Sequence, residues 1–181
     1  MTATARIVSS FALAFVLLAG GASRQAHASA GGIGDLFITS DASNLVRAYG
    51  GISGTLLGTF TNSVSGTGEL GIHFGATNGR VLVGSFGGGV DEFDASTGAY
   101  IKTYAPGGGW QWAAVYAPNG NVYVGSQTTG DIREYDSNTG AFVNVLCPFP
   151  GAADMQYGLN GNLYILRSFL APFRLLPKSP I

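Results

Sequence analysis

The chain has little cysteine, little histidine and little charge. Cys147 stands alone among 181 residues, so no disulfide framework can form within the chain. Pro148, Phe149 and Pro150 follow it and supply no base to lower the thiol pKa, so a small hydrophobe is the expected role. Charged residues make up 10% of the chain and form no basic stripe, which excludes nucleic acid and polybasic membrane docking. Only His27 and His73 are histidines, and no His-x-Glu pairing occurs. No Gly-x-Ser-x-Gly elbow is present for nucleophilic hydrolysis. Asn62, Asn138 and Asn144 each lack the following pattern of a glycosylation acceptor.

The first thirty residues read as a secretory leader. Arg6 provides a positive start, Ile7 to Leu18 an apolar core, and Ala28-Ser29-Ala30 a small-residue cleavage site before Gly31. The apolar run falls short of the roughly 20 residues needed to span a bilayer. No second long apolar run follows, so the expectation is a secreted or periplasmic protein with no stable membrane insertion after cleavage. Residues 31–181 carry seven Lys/Arg and ten Asp/Glu, a net charge of about −3.

What dominates the remainder is a repeat. Asn78-Gly79-Arg80-Val81-Leu82-Val83-Gly84-Ser85 returns as Asn119-Gly120-Asn121-Val122-Tyr123-Val124-Gly125-Ser126, and begins again at Asn160-Gly161-Asn162-Leu163-Tyr164-Ile165, with a period of 41 residues. Such a period marks a repeat architecture. The clearest unit has four strand-like runs: Trp112–Ala117, Val122–Val124, Asp131–Tyr135 and Ala141–Leu146. Pro118-Asn119-Gly120-Asn121 makes the first turn, since Asn and Gly tolerate the left-handed region. Val122-Tyr123-Val124 is apolar without alternation, as a strand buried on both faces should be. Asp136 to Gly140 forms the last turn, with Asp as cap.

The preceding unit repeats this grammar near 70–75, 80–85, 90–93 and 99–104, with Asp94 to Gly98 as its last turn. An earlier unit is partial: 36–38 matches the second strand, 45–49 the third and 55–60 the fourth. Met155–Leu166 begins a further unit, and its Met155–Leu159 run has a second reading as the strand that completes the partial first one. Four antiparallel strands every forty-odd residues describe a β-propeller blade. The expected fold is all-β, a propeller-like repeat of about three to three and a half four-stranded antiparallel blades, in an incomplete or open ring. It occupies residues 31–166, followed by an irregular tail (167–181) with Pro172, Pro177 and Pro180. Closed propellers need roughly four blades or more, so two chains pairing through blade edges are one expected way to close the ring.

The run Gly71-Ile72-His73-Phe74-Gly75…Asn78-Gly79-Arg80-Val81-Leu82-Val83, continuing to Val90-Asp91-Glu92-Phe93-Asp94-x-x-Thr97-Gly98, resembles NHL-type repeats. More narrowly it is similar to the exported bacterial repeats of streptogramin-lyase-like propellers. The resemblance covers roughly 35–166 and rests on turn and core positions. It implies a propeller and is nearly silent on activity.

Candidate chemistry is sparse. The loops entering the innermost strands are expected at 61–69, 105–111 and 147–154, placing Glu69, Gln111 and Asp154 near equivalent loop ends. Glu69 and Asp154 are metal candidates, for Mg²⁺ or Ca²⁺, as the resemblance to gluconolactonase-like propellers implies; the alternative is solvated turn caps. His73 is a general acid/base candidate against a structural reading, because streptogramin lyases use several His and Glu residues and one His does not reproduce that set. Trp110, Gln111 and Trp112 follow a glycine run and are candidate ligand-binding residues for a sugar ring or peptide; the alternative is packing between blades. Gly66-x-Gly68 and Gly87-Gly88-Gly89 open no helix and read as turns rather than phosphate loops. At one repeat position the charges run Arg47, Asp91, Arg133, so neighbouring blades are expected to attract weakly. The leading expectation is a non-enzymatic, exported binding module for a protein, peptide or glycan, without a cofactor. The alternative is a metal-dependent enzyme of the streptogramin-lyase or gluconolactonase-like kind, or its degenerate remnant.

Overall fold

A computed structural model describes residues 35–107 and 109–168. The leader (1–30) and most of the tail lie outside the described residues. Blade 1 holds β1 (Leu36–Ser40), β2 (Leu45–Tyr49) and β3 (Leu56–Asn62). Blade 2 holds β4 (Thr67–Phe74), β5 (Arg80–Phe86), β6 (Val90–Asp94) and β7 (Tyr100–Tyr104). Blade 3 holds β8 (Gln111–Tyr116), β9 (Val122–Ser126), β10 (Asp131–Tyr135) and β11 (Phe142–Pro148). Blade 4 holds β12 (Ala152–Tyr157) and β13 (Leu163–Arg167). All pairings are antiparallel meanders, and the ring of described blades is not closed. β12 pairs with β13 in its own sheet, so the Met155–Leu159 run does not complete blade 1. β13 extends regular structure to Arg167, one residue into the stretch read as tail.

The turns form for the reasons the residues suggest. Asp94 Oδ1 accepts from the Ser96 and Thr97 amides (3.0 and 2.8 Å) and from both hydroxyls, and Gly98 takes φ +69°. One repeat later, Asp136 Oδ1 accepts from the Asn138 and Thr139 amides (3.0 and 2.7 Å), with Gly140 at φ +75°. These bonds favour the carboxylate form, holding Asp94 at a pKa of about 2 and Asp136 below the ordinary range.

Packing runs between blades. Val81 and Val83 of β5 join Val46, Ala48 and Phe60 of blade 1, whereas Leu82, on the opposite face of the same strand, joins Val122 and Val124 of blade 3. Tyr123 faces the other way, with Met155 and Ile165 of blade 4. The second strands of the two middle blades, β5 and β9, therefore pack on both faces, and burial of each such aliphatic is worth roughly 1.5–3 kcal/mol. Close approach sets residue size: a Cβ on Gly71 would lie 2.3 Å from the Trp112 carbonyl oxygen, and one on Gly84 2.4 Å from that of Gln111. Small residues at these positions admit the innermost strand of the next blade.

The attraction expected from Arg47, Asp91 and Arg133 is not what the structure uses. Asp91 is buried and accepts from the Val64 and Ser65 amides (2.8 and 2.9 Å) and from Thr103 Oγ1 (2.6 Å). Arg133 pairs with Asp131 of its own strand at 2.9 Å. Backbone amides in reach outcompete a long, flexible side chain from the next blade.

Candidate functional site

A cavity of about 640 Å³ opens at the end of blades 2 and 3 where the first and second strands turn. Its polar lining includes His73, Asn78, Arg80, Glu92, Tyr116 and Asn138, with Gln156 and Tyr157 from blade 4 at its margin. The floor is organised by Glu92, whose side chain is fully buried. It accepts from Tyr116 Oη (2.8 Å), Tyr104 Oη (3.1 Å) and an Arg80 guanidinium nitrogen (3.1 Å), with Lys102 Nζ at 4.0 Å. Burial and then the neighbouring carboxylate push both phenols above their ordinary range, so they stay protonated donors. Arg80 keeps 39% of its side chain exposed to the cavity mouth. Burial, with Tyr123 adding to it, raises the Tyr157 phenol to about 12.

Blade 3 repeats this carboxylate with different partners. Glu134, 42 residues on, accepts from the side-chain amides of Asn119, Asn121 and Asn144 at 2.7–2.9 Å. Asn121 and Asn144 stand where blade 2 has Arg80 and Lys102. Both carboxylates stay satisfied, one by cations and phenols and one by amides. Sequence reasoning missed this pair; the recurrence of Glu in two third strands was the available signal.

His73 is on β4, lines the cavity, and lies 6.2 Å from the Tyr116 ring. Burial holds its pKa below the ordinary imidazole value, with Asp154 acting against that, so the ring is neutral at pH 7. Asp154, on β12, shares a small cleft with Gly71, His73 and Trp112. It is not at the level of Glu69 and Gln111: strand register pairs Glu69 with Ser85, Gln111 with Ser126, and Ala152 with Arg167. Asp154 pairs with Leu166 as Gly71 pairs with Gly84 and Ala113 with Gly125, so it takes the position of Gly71 and Ala113, after a bulge that all three blades share. Among the described residues no three His, Cys, Asp or Glu side chains gather as a metal site would need.

Glu69 is 2% exposed, and neither carboxylate oxygen accepts a hydrogen bond. Burial and then the Asp91 charge raise its pKa to about 7, with the nearby Ser63 hydroxyl pulling the other way. Cys147 is half-buried beside the blade 3–4 core, and burial raises its thiol pKa.

Trp110 and Trp112 lie at the opposite end of the blades from the cavity. Their rings are nearly parallel (7°) with centroids 6.0 Å apart, and Phe86 meets Trp110 edge-on at 4.7 Å. Trp110 is 45% exposed, whereas Gln111 is buried, with its amide nitrogen 3.4 Å from Ser126 Oγ. Trp112 thus packs, while Trp110 presents an exposed ring.

No family model matches the sequence, and no curated protein matches it. Solved structures match the fold. The WD40 β-propeller domain of Doa1 aligns with a TM-score of 0.58 at 16% identity over 73% of this chain and 43% of that one. The computationally designed Ika4 protein aligns at 0.55 and 15% identity over 74% and 85%, and the designed Ika8 protein at 0.52 and 16% over 74% and 43%. The chain thus spans less than half of the Doa1 domain. At these identities the likeness is one of fold, and the fold is that of a β-propeller.

Proposed function

We propose that the chain is an exported binding module, of the NHL and streptogramin-lyase-like kind in sequence, that takes a polar segment of a glycan or peptide into the cavity between blades 2 and 3. The observation that carries this reading is the cavity itself: about 640 Å³, floored by the Glu92 network. A satisfied buried network fixes its donors before any ligand arrives, so little ordering remains to oppose binding. The Arg80 guanidinium offers remaining donors to a carboxylate or hydroxyl, Asn78 and Asn138 offer amides, and Tyr157 offers a ring face. Trp110 and Phe86 form a second, shallower surface at the other end.

The enzymatic alternative has one feature in its favour, the perturbed carboxyl of Glu69. Its 2% exposure argues against contact with a substrate and supports the binding reading. The reading is tested by screening oligosaccharide and peptide arrays with the labelled chain and retesting hits by calorimetry. Hits weakened at least tenfold by Asn138→Ala or Tyr157→Ala and retained by Trp110→Ala support the cavity. The converse pattern moves the site to the aromatic surface and overturns the proposal.

A further inference from the structure

Residues that are core positions inside the arc reappear, bare, at its two ends. On the second strands, Val81, Val83, Val122 and Val124 are at most 1% exposed against the preceding blade, and Leu163 and Ile165 pack on blade 3. Blade 1 carries Leu36 and Ile38 at the same repeat positions, 56% and 45% exposed. On the other face of the second strand, Leu82 is buried against blade 3 and Tyr123 packs toward blade 4. Blade 4 carries Tyr164 at that position, with Leu166 beside it, 56% and 63% exposed. Isolated exposed aliphatics are ordinary. Aliphatics kept at blade-contact positions on both ends of one arc are not.

The two ends also complement each other in shape. Inside the arc, Gly71 and Gly84 of blade 2, and Ala113 and Gly125 of blade 3, are small because the next blade's innermost strand presses on them. Blade 4 has Asp154 and Leu166 at this paired position, which would block such a strand. Blade 1 is the one blade that, among the described residues, lacks an innermost strand. The charges are complementary too: Arg47 is exposed beside Ile38 on the blade 1 face, and Asp154 beside Leu166 on the blade 4 face.

We infer that a second copy of this chain covers both ends, blade 4 of each copy stacking on blade 1 of the other to close a two-chain ring. Contacts of two different faces make either a closed ring or an open filament, depending on the rotation between copies. The arc matches 43% of the length of the Doa1 propeller, so two arcs supply most of a ring of that size. This differs from pairing of exposed strand edges, because the contact is face to face through side chains. It does not depend on the ligand site proposed above.

The test is sedimentation equilibrium on the secreted full chain, with circular dichroism as the check on folding. The expected result is one species of twice the chain mass. Ile38→Asp and Leu166→Asp, both at positions exposed within one copy, should each raise the dimer Kd at least tenfold with an unchanged spectrum. Mixing the two variants should restore part of the dimer, since the mixed ring keeps one unaltered contact. Four results would overturn the inference: a wild-type monomer, whether its ends stay bare or are covered by residues 169–181; masses that grow with concentration, as a filament would; a dimer indifferent to both substitutions, as edge pairing would be; and a mixture that stays monomeric.

Discussion

The Tyr116 hydroxyl of blade 3 donates a 2.8 Å hydrogen bond to Glu92 Oε1 of blade 2. The bond ties two blades together at a point where the carboxylate has no water to turn to. Removing one partner of a buried acceptor costs more than the bond contributes net. Tyr116→Phe should therefore lower unfolding free energy by about 1–3 kcal/mol, read from urea denaturation. A loss under a few tenths of a kcal/mol would mean that Arg80 and Tyr104 already satisfy the group.

Val124 is 1% exposed between blades 2 and 3. Val124→Asp places an unpaired carboxylate there, at a cost of several kcal/mol, on the order of the whole stability of a small domain. Circular dichroism should show an unfolded or aggregated chain at 25 °C, whereas Val143→Asp, on the exposed strand β11, should fold.

Gly84 has no room for a side chain beneath the Gln111 carbonyl. Backbone cannot retreat as a side-chain tip can, so Gly84→Ala should destabilise by about 1–3 kcal/mol. Gly79, at φ +65° in open space, should cost only about 1 kcal/mol when changed to alanine, from strain alone. Comparing the two melting temperatures separates close approach from backbone conformation.

Glu69 gives a pH signature. Its pKa is about 7 in the folded chain against an ordinary value of 4.5. The folded state holds this proton more tightly than the unfolded one. The contribution of Glu69 to stability is therefore fully present below pH 4.5, is lost as pH rises toward about 7, and is flat above. The full span is about 3 kcal/mol. Glu69→Gln should remove that slope and raise the melting temperature at pH 8. A wild-type profile from which Glu69→Gln removes no slope would contradict a buried, unpartnered carboxyl.

Mg²⁺ and Ca²⁺ should leave the melting temperature unchanged at millimolar concentration. A rise abolished by both Glu69→Gln and Asp154→Asn would revive the metal-dependent enzyme.

Much of this architecture is legible in the residues. The period of 41, the Asn-Gly turns and the Asp-x-x-Thr-Gly turns place strands to within a few residues, because local backbone chemistry fixes them: Asp94 and Gly98 act within one turn. Unalternated runs such as Val81-Leu82-Val83 announce burial on both faces. The site is less legible. Glu92 looks like an ordinary polar residue of a third strand, and its partner Tyr116 is 24 residues away on another blade. Asp154 looks equivalent to Glu69 by loop position, but strand pairing puts Ala152 at that level and Asp154 at the level of Gly71. Trp110 and Trp112 are two residues apart and both meet Phe86, yet one packs and the other is exposed, a difference that local sequence does not carry.

The central physical claim is that adjacent blades press their side chains together. Phe37 of blade 1 and Phe74 of blade 2 have ring centroids 4.9 Å apart, and Tyr104 of blade 2 and Tyr135 of blade 3 lie at 6.2 Å. Nuclear Overhauser spectra of the folded chain should contain ring-to-ring cross-peaks for both pairs. A folded chain that retains its strand pairings but shows neither cross-peak would contradict the account.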